Sequence, residues 1–190
     1  LSSNLGVFFG NALKTQGIGE SDLNIDDFNT GLKAAMGEGT PTMDFQAAET
    51  IVNGQMQALQ KSIGEKNLAI GKKFLAEEVA KKPGIQKTAS GIYYEVMKKG
   101  TGPKPTADKK VKTHYHGTLI DGTVFDSSVE RGEPIEFPIN GVIAGWQEIL
   151  PMMATGAKWR VYIPSDLAYG PQGSPGGIPP NSALIFEIEL

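Results

Sequence analysis

Residues 114–126 read HYHGTLIDGTVFD and hold both histidines of the chain, His114 and His116, with Tyr115 between them and Asp121 and Asp126 downstream. Two imidazoles two residues apart leave a strand on the same face, and such a pair can hold zinc or copper loosely. A stable site needs a third and usually a fourth ligand. There is no cysteine or further histidine to supply one, and Asp121 and Asp126 sit in or beyond a turn with nothing to aim them at the pair. No metal is therefore expected, and no other cofactor. The alternation in KVKTHYHG has a simpler meaning. Val111, Thr113 and Tyr115 share one face of a strand; Lys112, His114 and His116 share the other, and the lysine marks the wet side. Tyr115 should point inward and the histidines toward solvent or the sheet edge.

Other chemistries find no residues. The absence of cysteine excludes disulfides and thiol catalysis. No serine sits in a nucleophile elbow, and no His/Asp order suggests a triad. GPQGSPGGIPPN is glycine-rich but lacks the Lys-Ser/Thr that a phosphate loop requires, so it reads as a long, proline-stiffened loop. A net charge of −3 with no basic stripe argues against nucleic acid. No apolar run approaches the roughly 20 residues that span a bilayer. What accumulates is aromatic: Tyr115, Phe125, Phe137, Trp146, Tyr169 and Phe186 lie at strand ends, in a short helix or beside loops. They are either ordinary core or the wall of a half-open hollow with one carboxylate and one phenol, a site that binds without a nucleophile.

These residues belong to a second half with its own vocabulary. Up to Pro83 the chain has one other proline and no tyrosine or tryptophan; the remaining ten prolines, all five tyrosines and both tryptophans follow it. Two domains are expected, 1–82 and 83–190. The second reads as α+β: SGIYYEVMKKG, KVKTHYHG, EPIEFPI, AKWRVYIP and SALIFEIEL as strands of an antiparallel sheet, wrapped on one short helix in GVIAGWQEILPMMATG that Gly156 stops.

The first domain reads as all-helical. Leu5, Phe8, Phe9 and Leu13 share one face of a helix ending near Gly17. Asn24 is placed as an N-cap and Leu23 and Phe28 as a hydrophobic staple; Phe28 and Leu32 lie on the apolar face of that second helix, which Gly37 ends. From Thr42 to about Lys82 a long helix carries Phe45, Val52 and Met56 in one stripe, then thins out in GEKNLAIGKK, which reads as a solvent-exposed spacer. Two short helices and half a long one make a thin core. The apolar stripe is expected to pack on a second copy of itself, giving a homodimer, rather than fold back on the C-terminal domain.

HYHGTLIDGTVFDSS, RGEPIEFPINGVIAGWQEIL, MMATGAKWRVYIPSDLAYG and GGIPPNSALIFEIEL, running in order from about Gly91 to Leu190, closely resemble the FKBP-type peptidyl-prolyl cis-trans isomerases. The helical half is similar to the bacterial dimeric branch that includes the macrophage infectivity potentiator proteins. The resemblance implies catalysis of X–Pro bond rotation in folding proteins by a dimer. Asp126, Tyr169 and the backbone N–H of Ile143 would act on the substrate carbonyls. Tyr115, Phe125, Arg131, Ile135, Phe137, Val142, Trp146, Ile178 and Phe186 would bind the substrate, with Trp146 as the floor. Proline-containing peptides, unfolded clients and macrolide inhibitors are the partners implied. Ile135 stands where some members have an aromatic residue, Ser174 where some carry histidine, and Ala144 where proline is common, which bears on substrate preference and macrolide affinity. A dimeric chaperone or adaptor that grips proline without catalysis is the second reading. Export to the periplasm or outer membrane is expected because the chain opens on Leu1 rather than Met and relatives are often exported; a cytoplasmic location is the alternative.

Overall fold

The computed structural model describes residues 2–15, 18–19, 23–37, 43–175 and 177–190. Three helices come first: α1 (Ser2–Thr15), α2 (Ile25–Ala35) and α3 (Phe45–Lys73). Asn24 caps α2, its side-chain oxygen accepting from the N–H groups of Asp26 at 3.0 Å and Asp27 at 3.2 Å. Asp44 does the same for α3 through Ala47 at 2.8 Å. Gly37 follows α2 at a φ of +95°, a conformation glycine adopts without strain. The expected helix end at Gly17 and start at Thr42 lie outside the described residues.

The chain forms two compact units, 1–63 and 64–190. In the first, no described side chain is buried. Phe8 is 67% exposed and Phe45 81%; Leu5, Phe9, Phe28, Leu32 and Val52 are exposed as well, while Leu13 and Met56 are half-buried. A lone copy of these helices thus leaves its apolar stripe in water.

The second unit begins inside α3 and corrects the reading of GEKNLAIGKK as an exposed spacer. Gly64 and Gly71 are buried and Asn67 is half-buried, whereas Glu65, Lys66, Lys72 and Lys73 are exposed. One face of that polar stretch lies on the protein, and small residues let the helix backbone approach it. The α-helix ends at Lys73, short of Lys82, and continues as a wider π turn over Phe74–Val79 with an i→i+5 bond from Ala80 N–H to Leu75 O at 3.0 Å. This turn buries Leu75 and Val79 against Tyr93, Tyr162 and Ala183 on one face of the sheet.

The sheet has seven antiparallel strands: β1 (Gln86–Lys87), β2 (Tyr93–Lys98), β3 (Lys110–Leu119), β4 (Val124–Ser127), β5 (Ile135–Pro138), β6 (Lys158–Ile163) and β7 (Leu184–Glu189). Their order is β1-β2-β6-β7-β3-β4, and β5 pairs with residues 110–113 of β3. The one-turn helix α4 (Ser128–Arg131) follows β4; α5 (Ala144–Ile149) packs with Val161 and Ile163 of β6, the π turn with Tyr162 between them, so the two lie on opposite faces. The expected helix up to Gly156 is shorter in the structure. It tightens to a 3₁₀ turn at Leu150–Met152 because Pro151 donates no N–H. Ile149, Leu150 and Met153 are fully buried with Ile92, Val161, Ile163 and Ile188 in the main core.

Candidate functional site

β3 supplies the first wall, and its alternation is as the sequence indicates. Val111, Thr113, Tyr115 and Gly117 are buried, while Lys112 is exposed and His114 and His116 are intermediate. The histidines are not simply in water. Nδ1 of His114 lies 3.1 Å from Ser128 Oγ, and Nδ1 of His116 lies 3.0 Å from Ser127 Oγ. Among the described residues no three His, Cys, Asp or Glu side chains converge on a metal position.

β4 presents two consecutive residues, Phe125 and Asp126, to one cavity. A regular strand would send them to opposite faces. Here Gly117 pairs with Asp126 and Thr118 with Val124, so Phe125 is the extra residue of a β-bulge, and the bulge re-aims its ring. Gly117 makes room for it: a Cβ there would come within 2.7 Å of Phe125 and 2.9 Å of Phe186.

The cavity has a volume of about 300 Å³. Trp146, on α5 and 4% exposed, is its centre, with the rings of Tyr115, Phe137 and Phe186 edge-on around it at 5.4, 5.9 and 5.3 Å. Phe125 stands edge-on to Phe186 at 5.5 Å. Aromatic edges carry partial positive charge and faces negative, so such T-shaped packing is favourable and fixes the walls. Val142, Ile143 and Tyr169 complete the lining, together with Gly141, which sequence reasoning missed because a glycine carries no side-chain signal.

The polar rim is a closed triangle. Tyr115 Oη donates to Asp126 Oδ2 at 2.5 Å, Arg131 Nη1 donates to Asp126 Oδ1, and Arg131 Nη2 donates to Tyr115 Oη at 3.0 Å. Burial by itself raises the Asp126 pKa, but hydrogen bonds from Tyr115 and Arg131 and the guanidinium charge outweigh it and hold the carboxyl below the usual range. Tyr115 titrates above the ordinary phenol range because it is buried and donates to Asp126. Burial and the Asp126 charge push Tyr169 the same way, so it remains a neutral donor at pH 7.

Two serines that the sequence did not single out hold this triangle. Ser127 caps α4, its hydroxyl accepting from Glu130 N–H at 3.2 Å, and α4 delivers Arg131. Ser128, fully buried, accepts from Tyr115 N–H at 2.8 Å and pins β3 beside the site. Their signal was a cap position after VFD, legible only if the bulged strand is known to end there.

Two donors have no acceptor among the described residues. The N–H of Ile143, at the start of α5, and the hydroxyl of Tyr169 enter none of the hydrogen bonds among the described residues. Of the expected site residues, Ile135 and Ile178 are not on the cavity wall. Ile135 packs half-buried against the core, and Ile178 is 7% exposed within it. Arg131 also lies off the wall and acts on it through Asp126 and Tyr115.

The arrangement is an aromatic hollow with a fixed carboxylate at the rim and two free donors, and it contains no nucleophile. Comparison with known proteins agrees with it. The family model for the FKBP-type peptidyl-prolyl cis-trans isomerase matches residues 102–190, and that for the domain amino-terminal to it matches residues 1–96. The FKBP-type 22 kDa peptidyl-prolyl cis-trans isomerase of Escherichia coli is 49% identical over 73% of this chain and 67% of its own length. Outer membrane protein MIP of Legionella longbeachae is 39% identical over the whole chain and 83% of its own. The crystal structure of FkpA from E. coli superposes with a TM-score of 0.79 at 38% identity, covering the whole chain and 91% of FkpA. From residue 1 to residue 190, the chain belongs to the FKBP-type peptidyl-prolyl cis-trans isomerases.

Proposed function

We propose that the aromatic cavity is where this isomerase turns X–Pro bonds of folding proteins, and that the chain works as a dimeric foldase. The observation that carries the reading is the Asp126 carboxylate, fixed by Tyr115 and Arg131 beside an apolar cavity with two unpartnered donors.

Rotation about an X–Pro bond crosses a barrier of roughly 20 kcal/mol and takes tens of seconds or more unaided. The planar amide is conjugated and polar; the twisted one has lost resonance and much of that polarity. The prolyl ring enters over Trp146 between Phe137, Val142 and Phe186, and leaves water as it does so. The Ile143 N–H and the Tyr169 hydroxyl hold flanking carbonyls while Asp126 lies beside the turning one. Arg131 and Tyr115 keep that carboxylate ionised and in place, and Phe125 closes the wall. Ile135 and Ile178 back the cavity from the core. No bond is made or broken, so tighter binding of the twisted form than of the planar one is sufficient.

Within the helical domain 1–82 the part assigned to pairing is 1–63; residues 64–82 pack on the isomerase domain 83–190, which carries catalysis. The support for pairing is that the first unit buries none of its described side chains, and a second copy of the Phe8, Phe28 and Phe45 stripe would cover it. Proline-containing segments of unfolded proteins are the substrates, and a macrolide of cavity size would compete for the same walls. A cell-envelope location follows the name of the Legionella relative. No described helix is long and apolar enough to cross a membrane.

The test is refolding of a proline-limited protein with the full chain and with the double variant Asp126→Ala/Phe186→Ala. Acceleration that disappears in the variant supports the assignment. Equal acceleration by both would place the chemistry elsewhere, and none by either would leave a proline-binding chaperone.

A further inference from the structure

We propose that Asn67 of α3 is a positioning residue for this pocket: it ties down the Gly170–Asn181 loop, whose anchor is the residue next to Tyr169. The inference rests on the cavity being the isomerase site. The Asn67 side-chain amide donates to Pro180 O at 2.9 Å, a bond between residues 113 apart in sequence. Asn181, the following residue, has a φ of +54° and is the one non-glycine with positive φ among the described residues. Such a conformation persists where its surroundings hold it. Its N–H donates to Gly170 O at 2.8 Å, and Gly170 directly follows Tyr169. Inside the loop Ser174 and Ile178 exchange both backbone hydrogen bonds, at 2.8 and 3.1 Å, and Ile178 anchors in the core behind the cavity.

The helix is shaped for this contact. Gly64 and Gly71 flank Asn67 on the same face. A Cβ at Gly64 would lie 3.0 Å from the Asn181 side chain and 3.2 Å from Pro180, and one at Gly71 would lie 3.1 Å from Ala183. A methyl at either position would press on these neighbours, so the glycines let the helix come this close. Tyr169 needs such indirect support: it is 40% exposed and its hydroxyl has no partner among the described residues, so its backbone anchors set its position.

Without the Asn67 bond the loop would have to be ordered each time substrate binds. That cost falls on the ground-state complex and the transition state alike, so it raises KM and leaves kcat alone. The experiment measures both constants on a proline tetrapeptide with full-length protein. Asn67→Ala, and Asn67→Asp of the same shape without the donor, are expected to raise KM about fivefold, the weight of one hydrogen bond. The amide resonances of Gly170 and Asn181 should shift in both. Lys66→Ala, exposed on the same turn, should change nothing. Leu75→Ala should lower the unfolding temperature but not alter KM, separating positioning from general stability. Should Asn67→Ala fail to fold, Asn67→Asp carries the comparison. Wild-type KM with unmoved Gly170 and Asn181 resonances overturns the proposal, as does a fall in kcat at constant KM. A wild-type protein without isomerase activity removes the pocket assignment itself.

Discussion

Tyr115→Phe separates the electrostatic work of the rim from its packing. The ring is 5% exposed and packs on Trp146 and Phe137, contacts that phenylalanine retains. The substitution deletes the hydroxyl, and with it the 2.5 Å bond to Asp126 and the 3.0 Å bond from Arg131. A hydrogen bond to a charged group contributes roughly 1.5–3 kcal/mol when sheltered. The Asp126 side chain is 42% exposed, so solvent screening reduces the loss to about 1 kcal/mol. For a domain of this size that lowers Tm by about 3–5 °C at pH 7. The pH dependence has a definite sign. A carboxyl held below its unfolded pKa stabilises the fold above that unfolded value, about 3.9, and the contribution is lost as pH falls through the lower folded pKa. Tyr115→Phe weakens the depression, so the gap in Tm between variant and wild type is widest near neutrality and narrows in acid. Scanning calorimetry from about pH 7 to about pH 2.5 at fixed ionic strength measures it. A gap that stays constant across that range would refute the reasoning, because the hydroxyl would then act through packing and not through the carboxylate.

Two further variants probe the cavity wall and the exposed stripe. Gly117→Ala drives a methyl into Phe125 and Phe186; it should cost about 1–3 kcal/mol, read from the urea midpoint, and weaken binding of a proline peptide in titration calorimetry. The double variant Phe8→Asp/Phe28→Asp places charges on the exposed apolar stripe and should sediment as a monomer, with tetrapeptide isomerisation unchanged and refolding of larger clients slowed.

Much of the fold was legible because burial imposes a period. The two-residue alternation of β3 placed Tyr115 inward and the histidines outward, and Asn24 announced the start of α2 through its cap. Six of the cavity aromatics stood out in the residues themselves, but their roles came from resemblance, since an aromatic hollow and an aromatic core have the same composition. Non-local geometry stayed hidden. A period of two puts Phe125 and Asp126 on opposite faces, and the bulge that unites them is set by pairing with β3. Gly64, Asn67 and Gly71 carry no hydrophobic signal, and their partners lie more than a hundred residues away, so a packed helix face read as a spacer. Ile135 and Ile178 fell behind the wall because a motif records neighbourhood rather than which side of a side chain meets the ligand.

The π turn at Phe74–Val79 gives this stretch an unusual sensitivity to chain length. In an α-helix each four-residue step overshoots a full turn by about 40°, so Gly71, Leu75 and Val79 would spiral off the sheet. The wider turn lets the later steps fall back, and all three residues are buried. Substitutions here alter volume, but deleting one residue would rotate Asn67 by about 100° away from Pro180. Homologues that keep the loop anchor should therefore vary in spelling across this segment and hold its residue count fixed.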